Sequence, residues 1–289
     1  MWQAITQQLS DTLMFEYQLV EKVRLSGGDI SESYMINDGE QRYFVKINER
    51  EFLPKFEAEA ESLHLMRETS TVFVPEVVDI GKTKTHAFLI LNYLPTKPLE
   101  DSVNSFEFGQ QLAKLHLWGE QKEFGFDTDN YIGSTLQPNQ WHKKWAVFFA
   151  EQRIGWQLQL LKEKGVTLVD DIDDFIDVVK GHLSGHSVTP SLLHGDLWNG
   201  NAALTAVGPI CFDPACYWGD RECDIAMTEL FGGFHPDFYA GYESVAPLSA
   251  SYVERREIYN LYHILNHCNL FGGHYLEQAQ GMVTRVLSY

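Results

Sequence analysis

Basic residues are scarce in this chain. Its 289 residues include 22 lysines and arginines against 40 aspartates and glutamates, which gives a formal net charge of −18. This balance disfavours nucleic acid or an anionic membrane as a partner and favours a small substrate that is neutral or cationic. No run of about 18 apolar residues and no basic-then-apolar N-terminus is present, so we expect neither a membrane span nor secretion. A cytoplasmic monomer is the expectation.

Cysteine and several familiar motifs are also missing or rare. The four cysteines contain no C-x-x-C pair, so reduced thiols are the simplest interpretation and a zinc cluster is not expected. The sequence has no Walker A motif, no dinucleotide fingerprint, no internal repeat and no low-complexity segment. Its length and its apolar content of 44% favour an enzyme of two closely joined lobes.

Polar residues with the spacing of a phosphoryl-transfer site lie close together in the chain. Asp196 follows His194 and Gly195, Asn201 comes five residues after Asp196, and Asp213 ends an apolar run twelve residues further on. Each fragment alone is common as a surface turn or strand end, but their joint occurrence indicates a kinase. Phosphoryl transfer needs a carboxylate that orients the attacking hydroxyl and accepts its proton, together with hard oxygen ligands for magnesium. We therefore predict Asp196 as the base and Asn201 and Asp213 as Mg²⁺ ligands.

The segment between the two predicted metal ligands has the pattern of a β-hairpin. Two short apolar runs flank the turn-prone stretch from Thr205 to Pro209. A register symmetric about Val207 places Asn201 opposite Asp213, with their Cα atoms about 5 Å apart. Both side chains could then reach one cation.

A lysine in a predicted strand is the candidate for binding the nucleotide phosphates. The β-rich run from Gln41 to Ile47 contains Lys46, which alternation places on the opposite face from Val45. A lone strand lysine is ordinarily an edge residue that blunts aggregation. Here Gly27 and Gly28 lie in a turn between predicted strands, and such a turn lets backbone N–H groups approach phosphates.

An acidic partner for this lysine is expected on the next helix. The stretch from Phe56 to Arg67 is predicted to be helical and carries Glu57, Glu59 and Glu61. An ion pair from one of them would hold Lys46 extended toward the phosphates. The spacing alone does not choose among the three glutamates.

Other periodic stretches outline the fold. Apolar residues at helical spacing predict an opening helix, a turn-forming triplet predicts a hairpin, and two later stretches predict long helices. These features are Trp2, Ile5, Leu9 and Leu13 for the opening helix, Asn37-Asp38-Gly39 for the hairpin turn, and Phe106 to Trp118 and Trp141 to Lys164 for the long helices.

Six segments together resemble one known family. They are the Gly-Gly turn at 27–28, Phe-Val-Lys at 44–46, Phe-x-x-Glu-Ala at 56–60, the stretch 148–153, His-Gly-Asp-Leu-Trp-x-Gly-Asn at 194–201 and Phe-Asp-Pro-Ala-x-Tyr-Trp-Gly-Asp-Arg-Glu-x-Asp at 212–224. With them the sequence resembles the fructosamine kinases, also called ketosamine kinases, a branch of the aminoglycoside-phosphotransferase-like kinases. The similarity covers nearly the whole chain and is greatest to bacterial members without an extra domain.

The resemblance implies an activity and a fold. Members of the family use Mg-ATP to phosphorylate the sugar of ketosamines, at the 3-hydroxyl for fructosamines, and the product decomposes spontaneously, which links the family to deglycation. The implied fold is α+β, a bilobal protein-kinase-like fold with a small N-terminal β-rich lobe at 1–94 and a larger, mostly helical C-terminal lobe at 95–289. The implied cofactors are ATP and Mg²⁺, and the implied substrate is a small-molecule or protein-bound ketosamine.

The same resemblance assigns further site residues. It implies Glu59 as the partner of Lys46, and it implies that the linker after the last strand binds adenine. In that linker Asn92 would offer its carbonyl and Leu94 its N–H, with Tyr93 between them.

Substrate contacts are expected from aromatic and acidic side chains near the catalytic residues. Trp198 and Trp218 are candidate sugar platforms because an aromatic face packs against the C–H surface of a sugar, although core packing is the alternative for any tryptophan. Asp220 and Glu222 are candidates for meeting the ketosamine amine, although a run of charges is usually a solvated face. By resemblance, Asp224 braces the catalytic loop. No role is assigned to the three C-terminal histidines, His263, His267 and His274.

Two other functions remain open at the level of sequence. The catalytic residues fix phosphoryl transfer but not its acceptor, so an aminoglycoside, choline or another sugar could replace a ketosamine. A catalytically silent nucleotide-binding regulator is the alternative from another class. Such a regulator would be expected to lack one of the four central residues, all of which are present here: Lys46, Asp196, Asn201 and Asp213.

Overall fold

The computed structural model describes residues 1–26 and 30–288, and its N-terminal part is built on one antiparallel sheet. Its elements in chain order are α1 Trp2–Leu13, β1 Glu21–Leu25, β2 Glu32–Asn37, β3 Arg42–Glu49, α2 Leu53–Thr69, β4 Val77–Lys82 and β5 His86–Asn92. The five strands lie in the order β1-β2-β3-β5-β4, with helix α1 before them and α2 between β3 and β4.

The periodicities predicted from the sequence account for both faces of this sheet. In α1, Ile5 and Leu9 are fully buried against the face of the sheet that carries Val45. The hairpin turn predicted after β2 joins it to β3, and the N–H of Gly39, at a φ of 103°, donates to the Asn37 side chain. The opposite face packs on α2 and carries Lys46. The predicted orientation of this lysine is therefore confirmed.

Helices dominate the rest of the chain. Three short two-stranded sheets are set among them. The elements are α3 Ser102–His116, β6 Asn130–Ile132, β7 Thr135–Gln137, α4 Trp145–Phe149, α5 Trp156–Glu163, α6 Ile172–Ser184, β8 Ser191–Leu193, β9 Ala202–Thr205, β10 Gly208–Cys211, β11 Tyr217–Gly219, α7 Glu222–Leu230, α8 Pro236–Glu243, α9 Tyr252–Phe271 and α10 His274–Ser288.

The second of the predicted long helices is interrupted. It begins at Trp145 rather than Trp141, and a π-helical segment, Ala150–Gly155, separates α4 from α5. A π-helical turn holds one more residue than an α-helical turn, so it shifts the apolar pattern by one position while the backbone stays helical. The sequence pattern therefore predicts a helix here without showing the interruption.

One apolar core runs across both parts of the chain. It includes Phe56 and Leu89 from the N-terminal part together with Phe148 and Ile264 from the helical part. The mixed architecture, an antiparallel sheet followed by a mostly helical region, is as predicted, while the lobe boundary between residues 94 and 95 stays a prediction. Within the described residues, no helix is both long enough and apolar enough to cross a membrane. All four cysteines are buried free thiols.

Candidate active site

The loop that follows β8 carries the predicted base. Gly195 has a φ of 85°, and a Cβ at this position would lie 2.1 Å from the Ala215 carbonyl oxygen. Only glycine fits such a left-handed and crowded position. The loop can therefore pass directly over the segment that follows Asp213, which brings Asp196 and Asp213 to the same cleft.

The hairpin forms, but the predicted register is wrong by one residue. Cys211 pairs with Ala202, and the N–H of Phe212 donates to the carbonyl of Asn201 at 3.1 Å. Asn201 therefore lies opposite Phe212 and not opposite Asp213. The turn causes the difference, because Thr205 pairs directly with Gly208 and leaves a two-residue turn in place of the longer turn centred on Val207.

A left-handed backbone turns Asp213 toward the cleft at the end of this hairpin. Its φ is 57°, which is unusual for a residue other than glycine. The Asp213 carboxylate lies 2.6 Å from Lys46 Nζ, and Glu59 Oε1 lies 2.7 Å from the same nitrogen. The predicted Lys46–Glu59 pair is therefore present, whereas Glu57 and Glu61 are exposed.

Two carboxylates keep this buried lysine charged. Burial lowers the pKa of Lys46, but Asp213 and Glu59 outweigh burial and hold that pKa above its usual value. Because the ammonium group stays positive in the cleft, it is suited to meeting phosphate oxygens.

Asn201 is held against the predicted base. Its Nδ2 donates to the Asp196 carbonyl oxygen at 2.9 Å and lies 3.4 Å from the Asp196 carboxylate. Because the amide nitrogen faces Asp196, the amide oxygen is the atom that Asn201 can offer to a metal ion. Together with the Asp213 carboxylate it gives the hard-oxygen donor set that magnesium prefers, so these residues fit that ion.

Negative charge is concentrated around Asp196. Burial raises the pKa of Asp196 to about 7, and the charges of Asp213 and Asp224 add to this effect, while the Asn201 hydrogen bond opposes it. A carboxylate whose pKa lies near neutrality accepts a proton more readily than an ordinary aspartate.

Asp224 lies beneath the catalytic loop as the resemblance implied. It accepts hydrogen bonds from the N–H of His194 at 2.7 Å and of Gly195 at 2.9 Å. His116 Nε2 lies 3.0 Å from the same carboxylate, and the Tyr242 hydroxyl lies 2.8 Å from the other nitrogen of His116. His116 was not predicted from the sequence, because it lies on α3, far from the motif, and no local pattern marks it.

The two predicted sugar platforms lie in different surroundings. Trp198 is 38% exposed beside the catalytic loop, and its ring lies 6.3 Å from that of Phe231, which in turn lies 4.9 Å from the His267 ring. Trp218 is only 9% exposed and stacks on Trp118 at 6.0 Å. Trp198 can therefore meet a ligand from the cleft, while most of Trp218 is taken up by packing.

The carboxylates of Asp220 and Glu222 are buried and already engaged. Asp220 accepts from the Tyr259 hydroxyl at 2.6 Å and lies 2.8 Å from His186 Nε2. Glu222 forms a bidentate pair with Arg255, with both contacts at 2.7 Å. These contacts favour a structural role for both residues, in contrast to the predicted contact with the substrate amine.

The three predicted adenine-binding residues lie at the C-terminal end of β5, an interior strand of the sheet. Asn92 ends β5, Tyr93 donates its N–H to the Arg42 carbonyl at 3.4 Å, and Leu94 follows in the linker. The predicted phosphate-binding residues Gly27 and Gly28 lie outside the described residues.

Comparisons with known proteins agree on one family. The model of the fructosamine kinase family matches residues 1–289. A Vibrio parahaemolyticus protein assigned as a ketoamine kinase is 83% identical over 289 residues, which is 100% of both chains.

Solved structures extend this agreement to the fold. A crystal structure assigned as a fructosamine-3-kinase, from Haemophilus somnus 129PT, is 39% identical, with a TM-score of 0.94 over 99% of this chain and 98% of that chain. A mutant of aminoglycoside phosphotransferase APH(4)-Ia, in complex with AMP-PNP and hygromycin B, is 15% identical, with a TM-score of 0.64 over 99% and 98% of the two chains. The predicted kinase-like fold is thus confirmed, and the chain belongs to the fructosamine kinase family.

Proposed function

We propose that this protein transfers the γ-phosphoryl group of ATP to a sugar hydroxyl of ketosamines, with Mg²⁺ as its metal ion. The proposal rests on one observation. Lys46 Nζ lies within 2.7 Å of carboxylate oxygens of both Glu59 and Asp213, in the cleft that also holds Asp196 and Asn201. A phosphate-binding cation, two oxygen ligands for a metal and a base of raised pKa are together what this chemistry requires.

The nucleotide binds, in this proposal, between the N-terminal lobe at 1–94 and the C-terminal lobe at 95–289. Lys46 contacts its phosphates, and Glu59 holds the lysine extended. The relatives' family and the AMP-PNP complex of the structurally similar phosphotransferase support the use of a nucleotide.

A hydrogen bond at Asn92 supports the predicted adenine contact in the linker. Asn92 donates its N–H to the Glu76 carbonyl at 3.0 Å, and the Glu76 N–H donates to the Asn92 side-chain oxygen at 2.7 Å. In a regular antiparallel pair that second bond would end on the main-chain carbonyl of Asn92. Because the side chain accepts it instead, the main-chain carbonyl can receive the amino group of adenine, and the N–H of Leu94 can serve the ring.

Asn201 and Asp213 would hold magnesium, which supplies positive charge to the phosphate oxygens as the phosphoryl group transfers. Asp196 orients the sugar hydroxyl and accepts its proton. Its contact with Asn201 fixes the base beside the metal-binding amide, so both act on the same phosphoryl group.

Trp198 provides the platform for the sugar in this proposal. It is exposed beside the catalytic loop, with Phe231 and His267 extending the aromatic surface. Trp218 has little surface left for a ligand, and we assign it to packing. The buried free thiols suit a reducing compartment, so we place the enzyme in the cytoplasm.

The test is ADP formation by the purified protein with Mg-ATP and a panel of acceptors. The panel contains fructosamine, ribulosamine and erythrulosamine adducts of lysine, beside aminoglycosides, choline and free sugars. Turnover confined to the ketosamines is expected, and Asp196→Asn serves as the matched inactive control. Turnover on another acceptor alone would keep the kinase chemistry and overturn the substrate.

A further inference from the structure

Arg153 is a buried cation for which the proposed mechanism has no use. It lies in the π-helical segment Ala150–Gly155 and is fully buried. Within residues 1–26 and 30–288, no carboxylate lies within ion-pair distance of its guanidinium, and its Nε has no hydrogen-bond partner. The guanidinium lies instead over the rings of Tyr217 at 4.1 Å and Phe148 at 4.7 Å. A buried charge without a counter-ion is unfavourable for stability, so stability alone does not explain this residue.

One hydrogen bond of Arg153 leads toward the metal-binding segment, while its Nη1 donates to the Pro138 and Gln152 carbonyls at 2.5 and 3.3 Å. Its Nη2 donates to Asn139 Oδ1 at 2.6 Å, and Asn139 Nδ2 donates to Asn130 Oδ1 at 2.9 Å. Asn130 Nδ2 then donates to the Cys216 carbonyl oxygen at 2.7 Å. The chain of bonds therefore ends on the backbone three residues after Asp213.

A second donor reaches the neighbouring carbonyl. Gln137 Nε2 donates to the Ala215 carbonyl oxygen at 3.2 Å and to Asn130 Oδ1 at 2.8 Å, while the Tyr262 hydroxyl donates to Gln137 Oε1 at 2.6 Å. Together these bonds fix two successive carbonyls of the segment that follows Asp213.

The chemistry of its two end groups sets the donor-to-acceptor direction of this chain of hydrogen bonds. Arginine can only donate hydrogen bonds, and a main-chain carbonyl can only accept them. Between these ends the amides of Asn139 and Asn130 have one orientation that satisfies every contact, with each oxygen toward Arg153 and each nitrogen toward Cys216. The Thr128 carbonyl also accepts from Asn139 Nδ2 at 3.1 Å, so Arg153 and Thr128 together fix this orientation. Loss of Arg153 would leave the buried Asn139 Oδ1 without its donor and weaken the chain of hydrogen bonds at its start.

We infer that Arg153 is a positioning residue that holds Asp213 in its metal-binding conformation through this directed chain. Asp213 has a left-handed backbone, which persists only where its surroundings fix it. The clamp on the Ala215 and Cys216 carbonyls, together with the hydrogen bond from the Ala215 N–H to the His194 carbonyl at 2.8 Å, provides those surroundings. The inference rests on the proposed role of Asp213 as a magnesium ligand.

The experiment measures the dissociation constant of AMP-PNP without Mg²⁺ and with Mg²⁺. The ratio of the two values reports how strongly Mg²⁺ tightens binding, and its measurement needs no acceptor substrate. In Arg153→Met the ratio should fall by about tenfold or more, the usual effect of losing a residue that orients a metal ligand. Ile154→Ala is the matched control, since Ile154 is the next residue of the same segment, is fully buried and takes no part in the chain of hydrogen bonds. It should lower the melting temperature and keep the ratio.

Asn139→Asp breaks the chain of hydrogen bonds while Arg153 is kept. The new carboxylate would give Arg153 a counter-ion, but it could donate neither to Asn130 nor to the Thr128 carbonyl. The Mg²⁺ effect should fall in this variant even if Arg153→Met does not fold. An unchanged ratio in Asn139→Asp would overturn the inference. If Mg²⁺ did not tighten AMP-PNP binding in the unmodified protein, the metal assignment itself would fail, and this inference with it.

Discussion

Replacing the proposed base should change activity and stability in opposite directions. In Asp196→Asn the new amide can keep the contact with Asn201 by presenting its oxygen to Asn201 Nδ2. The nucleotide site stays intact, but no group accepts the proton of the sugar hydroxyl. We expect kcat to fall by about 10²–10⁴, which corresponds to about 3–5 kcal/mol of transition-state stabilisation.

The same substitution should stabilise the fold above neutral pH. The folded protein disfavours the charged form of Asp196, because burial and the charges of Asp213 and Asp224 raise the pKa of Asp196 from 3.8 to about 7. Between these two values the folded state keeps a proton that the unfolded state has lost, so this carboxyl lowers the free energy of unfolding as pH rises. About three pKa units at about 1.4 kcal/mol each give an upper bound of about 4 kcal/mol above pH 7.

Two assays test this pair of effects. Urea unfolding in EDTA at pH 5 and pH 8 measures the stability gain, which should be larger at pH 8. ADP formation with saturating Mg-ATP and ketosamine measures kcat. Asp177→Asn removes an exposed carboxylate and should change neither quantity. Full activity in Asp196→Asn would remove this residue from the role of base, and a loss of stability at pH 8 would refute the electrostatic argument.

Three further outcomes follow from the structure. Asn92→Leu should raise KM for ATP several-fold and leave KM for the ketosamine unchanged. Asn92→Asp keeps the side-chain acceptor and should leave KM for ATP unchanged. Equal KM values for ATP in the two variants would contradict the proposed adenine contact. Trp198→Ala should raise KM for the ketosamine, while Trp218→Ala should instead lower stability by about 3–5 kcal/mol, as judged by urea unfolding. Burial lowers the pKa of His263 to about 3, so stability should fall by about 1.4 kcal/mol per unit as pH drops below about 6.5, and His263→Leu should lack this loss.

Local patterns predicted the residues that meet in the cleft. Alternation along β3 placed Lys46 on the inner face of the sheet, and the spacing after His194 marked Asp196, Asn201 and Asp213. These features depend on a few neighbouring residues or on a motif, and both can be seen in one sequence.

Features decided by distant partners were predicted less well. Asp220 and Glu222 were expected at the substrate because they follow the metal segment, but Tyr259 and Arg255 on α9 bind them inside the fold. No local pattern shows that α9 packs there. The register of the hairpin depended on the geometry of one turn, where Gly208 has a φ of 128° and allows the two-residue connection.

The charge balance of the cleft gives a reason for expecting nucleotide and metal to bind together. Lys46 faces Glu59 and Asp213 directly, and Asp196 and Asp224 add two more carboxyl groups nearby. A polyphosphate entering alone would meet more negative than positive charge, and this repulsion would weaken its binding in a site of low dielectric constant. Nucleotide affinity in this protein should therefore depend steeply on Mg²⁺, and AMP-PNP that bound equally well in EDTA would contradict this account of the cleft.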